Sequence, residues 1–185
     1  MRAQQADGEK VVASGCIEQF SKKLEGLDLE PIVVKLIDPE HGEGWSLEKA
    51  DTAVALYKQY LFLSYLYPRS TVVPNKTIDA VWHHHILDTQ KYDDDCQHLF
   101  GYKLHHFPYL GMRGEDDKVA LLLGFEHTRS LFTEHFGVEL GEYDSFASTC
   151  AEGCGQSSCR GINSVGIQAF RPVPQRFSTA KMAMA

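Results

Sequence analysis

Long hydrophobic runs are missing from this 185-residue chain. None approaches the roughly 18 to 20 apolar residues that a helix needs to cross a bilayer. The opening MRAQQADGEKVVASG carries no apolar core of signal-peptide length, so the chain reads as cytoplasmic and not membrane-bound. Positive charge is also scarce, with 18 Lys and Arg against 25 Asp and Glu, a formal net charge of −7. That balance excludes a nucleic-acid binder working through a broad basic face, because phosphate contacts need clustered Lys and Arg. The cysteines number five, an odd count, and Cys16 and Cys96 stand isolated, so no disulfide framework is indicated and reduced thiols are expected. Internal repeats and convincing strand pairs are absent as well.

What the chain does have is helical periodicity. Hydrophobic residues make up 43% and charged residues 23%, which suits one globular domain with its own core. Short apolar-periodic stretches run from Cys16 to Asp38, and Pro31 to Ile37 reads as a helix with proline in its first turn. Ser46 is a good N-cap for a helix over 47–67; Lys49 three residues on leaves the capping box incomplete, and Pro68 ends the segment. Asn75 caps a helix predicted over 76–100 and closed by Gly101. A loop with His105, His106 and Pro108 leads to a last helix over 117–136, closed by Gly137, with Glu115, Asp116 and Asp117 where the helix dipole favours acids. The expected fold is mainly α: a single-domain helical bundle over 16–143, between a flexible start at 1–15 and a loosely ordered Cys/Gly/Ser tail at 144–185.

Histidine is abundant, nine in all, with most of them between His83 and His106. Neutral imidazole is the commonest protein ligand for zinc, copper, iron and nickel. Asp79 and His83 are four residues apart, so a helix stacks them on one face, the spacing by which one helix gives two ligands to one ion. His85 points about 200° away from His83 on a regular helix, toward the stripe of Trp82, Thr89, Tyr92 and Cys96. Either the helix is bulged here and His85 joins the same ion, or the two histidines have different jobs. A further ligand comes from His105 or His106, returned by the turn after Gly101. Asp79, His83 and His106 then form a two-histidine, one-carboxylate set for a divalent metal, zinc or iron(II), with room for water or a small-molecule substrate. Trp82, Tyr92, Cys96 and His105 line the pocket or support the ligands. His84 is expected to face solvent, His127 and His135 to be surface or half-buried, and His41 to sit in a loop with no evident partner.

The run Val73-Pro74-(4)-Asp79-(2)-Trp82-His83-x-His85-Ile86-Leu87-x-Thr89-(2)-Tyr92-(3)-Cys96-(3)-Phe100-Gly101-(2)-Leu104-His105-His106-x-Pro108 resembles the glycine-rich domain-containing-protein-like family, whose hallmark is a D-x-x-W-H-x-H motif followed by a tyrosine and a G-x-x-x-x-H turn. Tyr57 to Leu63 upstream and Thr128 to Gly137 downstream resemble its flanking helices, so the likeness covers about 54–138. Phe132 stands where the family has tyrosine. The resemblance implies that Asp79, Trp82, His83, His85, Tyr92, Cys96 and His106 form one constellation, and it supplies no reaction.

Two rival readings accompany the metal one. In the first, the domain is a non-catalytic module for a protein partner: Trp82, Tyr92 and Phe100 anchor the core while Asp79 and His83 hydrogen-bond each other. In the second, Cys150, Cys154 and Cys159, spaced C-x3-C-x4-C, hold zinc or copper(I) or work as redox thiols. The paired C-x2-C knuckles are lacking, and a reducing cytosol disfavours a Cys154–Cys159 disulfide.

Overall fold

Proline at residue 31 lacks the N–H that a first helical turn leaves unpaired anyway, and it starts a helix where the sequence predicts one. The structure, a computed structural model, describes residues 14–141, and within them it is mainly α, with no strand among the described residues. The expected flexible start, apart from Ser14 and Gly15, and the expected cysteine-bearing tail with Cys150, Cys154 and Cys159 lie outside them. Six helices follow in order: α1 Ser14–Glu25, α2 Glu30–Ile37, α3 Leu47–Leu66, α4 Lys76–Leu87, α5 Thr89–Leu99 and α6 Glu115–Phe136.

Their ends obey the local chemistry. Ser46 Oγ accepts from the Lys49 backbone N–H at 3.3 Å and opens α3, and Asn75 Oδ1 accepts from that of Ile78 at 2.9 Å and opens α4. Gly101 turns the chain out of α5 at φ +75°, and Gly137 caps α6 at φ +63°, a conformation that costs glycine nothing. The 20 residues of α3 give it a length of about 30 Å. It packs on α1, α2 and α4 and buries Ala50, Ala53, Tyr57, Leu61, Leu63 and Leu66. Ile78, Val81 and Trp82 of α4 meet that face, and each such side chain contributes roughly 1.5–3 kcal/mol through removal from water.

The expected single helix over 76–100 is two helices. Asp88 breaks it, with φ −82° and ψ 77°, and its Oδ1 accepts from the Lys91 N–H at 3.3 Å, capping the start of α5. A short carboxylate that can bond the backbone two or three residues on competes with helical continuation. The bend folds α5 back onto α4. That has consequences for every aromatic and histidine in the motif.

Candidate metal centre

The i, i+4 spacing works as the sequence predicts: Asp79 and His83 rise from one face of α4, with His83 Nδ1 3.7 Å from Asp79 Oδ2. His106 reaches them from the loop between α5 and α6. Its Nε2–H donates to Asp79 Oδ1 at 2.8 Å, and its ring centroid lies 4.7 Å from that of His83. One potential ligand atom from each of the three falls within 4.8 Å of the other two. Asp79 and His106 are largely covered, with side chains 20% and 13% exposed, while His83 is half open at 50%. Two imidazoles and a carboxylate facing solvent on one side are a donor set suited to a borderline divalent cation with coordination positions to spare.

The loop is held in place by a chain of buried polar bonds. The Trp82 indole N–H donates to the Tyr92 hydroxyl at 2.9 Å, and that hydroxyl donates to the Leu104 carbonyl, two residues before His106. The Trp82 ring meets that of His106 edge-on, centroids 4.6 Å apart, so His106 is flanked by Trp82 and His83. Burial pushes the Tyr92 phenol far above its usual range, so it stays a protonated donor. Cys96 is buried beside the Tyr92 hydroxyl and the Leu104 backbone, and burial raises its thiol too. It supports the loop rather than reaching the cluster. Trp82, Tyr92 and Cys96 thus all sit behind the three residues, and His105 is exposed and takes no part in the group.

His85 is not part of the group. Helix α4 runs as regular α-helix through 76–87 with no bulge, so His85 turns inward, to 1% exposure. Its Nδ1 lies 3.0 Å from the Tyr57 hydroxyl and its Nε2 2.9 Å from Asp95 Oδ2, which also pairs with Lys91 at 2.9 Å. A carboxylate can only accept, so Nε2 carries the proton and Nδ1 accepts from the phenol. Burial lowers the His85 pKa and outweighs the hydrogen bond and charge of Asp95, which raise it. A neutral ring satisfied on both nitrogens has no lone pair left for an ion. The two histidines have different jobs.

Some partners were beyond sequence reasoning. His84, expected in solvent, is partly covered and lies 3.3 Å from Glu43 of the α2–α3 loop. His41 faces Asp38 at 3.3 Å, and His135 Nε2 meets the Tyr67 hydroxyl at 2.8 Å. His127 and His135 are half-buried, as expected. Asp95 and Tyr57 give no local signal at all, since ten residues of unbroken helix would hold residues 85 and 95 about 15 Å apart. Only the bend at Asp88 closes that gap.

The class is therefore a mainly α domain with a two-histidine, one-carboxylate cluster at the junction of α4 and the α5–α6 loop. The family model described as UCP032817-like matches residues 19–123, more than half of the chain and inclusive of all three cluster residues, and the protein belongs to that family. No curated protein and no solved structure matches it. Among the described residues, no helix is long and apolar enough to cross a membrane.

Proposed function

We propose that the protein binds one divalent metal ion, zinc or iron(II), through Asp79, His83 and His106, and that the open side of this site takes water or a small-molecule substrate. One observation carries the reading: three donor atoms of the right chemistry within 4.8 Å of one another, contributed by two separate elements. Donors on a tetrahedral ion with bonds of about 2.0 Å lie roughly 3.3 Å apart, so only small side-chain rotations separate this arrangement from a ligand set. The ion would act as a Lewis acid or lower the pKa of a bound water. The resemblance of the D-x-x-W-H-x-H run to the glycine-rich domain-containing-protein-like family draws attention to the same residues.

A second reading is favoured by the 2.8 Å bond from His106 to Asp79: the same residues pin the loop to α4 without an ion, and the surface serves a protein partner. Metal analysis of protein purified without a histidine tag separates the two. The metal reading expects close to one ion per chain, lost in His83→Ala and His106→Ala. It also expects added zinc to raise the melting temperature of chelator-treated protein, by about 2.7 kcal/mol of stability at one hundred times the dissociation constant. His83→Ala is the cleaner variant, because its half-exposed ring contributes little to packing. A folded wild type that carries no metal and gains no stability from zinc or iron(II) rejects the proposal.

A further inference from the structure

Helix α6 has apolar residues on both sides, and among the described residues only one side is buried. Phe125, Thr128, Leu131 and Phe132 face the core, and a Cβ added at Gly124 would come within 2.8 Å of Val73, so the inner face is tightly seated. On the opposite side Val119, Leu122 and Leu123 are 54%, 53% and 66% exposed. At about 100° per residue these three share one arc of the helix, and the amphipathic pattern of a surface helix does not call for them there.

The charges around this patch are ordered. Lys118 pairs with Glu115 at 2.7 Å on its N-terminal side, and Arg129 pairs with Glu126 at 3.0 Å on its C-terminal side. Among these ion-paired residues the signs run minus, plus, apolar, minus, plus along the helix, and exposed Asp116 adds a further negative charge beside Glu115. Reversing the direction about Leu122 sets Glu115 opposite Arg129 and Lys118 opposite Glu126.

We infer that α6 is the contact face of a two-fold dimer of this chain, with two copies of the helix packed antiparallel about Leu122. An isologous interface must be its own complement, and reversing this face sets apolar residues against apolar ones and each of these charges against its opposite. The apolar residues supply the buried centre and the four charged residues the rim. The face lies on α6, whereas Asp79 and His83 lie on α4, so the inference stands apart from the metal site.

Sedimentation of the full chain over a concentration series tests it. Wild type is expected to show a concentration-dependent dimer with a melting temperature that rises with concentration, and Leu122→Asp a folded, helical monomer whose melting temperature does not, since half-exposed Leu122 lies outside the monomer's buried core. Lys118→Glu is expected to weaken association roughly tenfold by turning two rim attractions into repulsions, and Lys118→Glu combined with Glu126→Lys to restore it. Neither an intrachain cover nor a different protein partner would give that rescue. A chain monomeric up to about 0.5 mM, a dimer indifferent to Leu122→Asp, or a double variant as weak as the single one overturns the inference.

Discussion

Replacing Tyr92 with Phe removes one oxygen and tests how the α5–α6 loop is held. That oxygen accepts from the Trp82 indole N–H at 2.9 Å and donates to the Leu104 carbonyl. Trp82 is 4% exposed, so water cannot replace its lost acceptor, whereas Leu104 is only half-buried. One buried, unsatisfied N–H costs roughly 1–3 kcal/mol. Taking about 2 kcal/mol, the melting temperature should fall by roughly 5 to 10 °C for an ordered region of this size. The double variant Trp82→Phe, Tyr92→Phe sharpens the test, because removing both partners leaves no orphaned donor. The two single costs should then exceed the double one by about 1 kcal/mol or more, once the smaller Phe ring is allowed for through Trp82→Phe alone. If zinc binds as proposed, Tyr92→Phe should also weaken it by about 10- to 100-fold in calorimetric titration, since outer hydrogen bonds orient metal ligands. Additive single costs together with unchanged metal affinity would refute the account of Tyr92 as the clamp on His106.

Other contacts in the fold are open to similar tests. Asp88→Ala removes the cap at the α4–α5 bend, 3.3 Å from the Lys91 N–H, and should cost about 1 kcal/mol in urea unfolding; a neutral effect would mean that packing alone makes the bend. Gly42→Ala should be severe, because its Cβ would sit 1.6 Å from the Lys35 carbonyl oxygen, backbone that cannot swing aside; a loss of less than about 1 kcal/mol would contradict the α2–α3 turn as described. Asp117 is buried, which by itself raises its pKa, yet bonds from the Arg113 guanidinium and the Arg113 and Gly111 backbone N–H groups more than offset this and hold it below its usual value. Its stabilisation is therefore present above about pH 4 and is lost as pH falls through the lowered value. Asp117→Asn should be about 2 kcal/mol less stable than wild type at pH 7, with the difference shrinking in acid; a difference independent of pH would refute the assignment.

The amino-acid sequence by itself determined the helical class and most helix starts, because caps such as Ser46 and Asn75 and the proline at 31 act within a few residues of backbone. It also determined that Asp79 and His83 share a face, since four residues of helix make that geometry local. The return of an imidazole from beyond Gly101 was legible as a turn, and the G-x-x-x-x-H spacing already favoured His106 over His105, without giving the reason. That choice depends on the Trp82–Tyr92–Leu104 bonds, and a carbonyl partner leaves no mark in side-chain spacing. His85 shows the limit most clearly. Its periodicity set it away from His83, toward Trp82, Tyr92 and Cys96, but its partners Tyr57 and Asp95 come from helices separated from it by a loop and by the bend at Asp88. Local chemistry acts through the backbone and can be read in order along the chain; which buried polar groups meet is decided only when the helices pack, because each must find whichever donor or acceptor the assembled core sets opposite it.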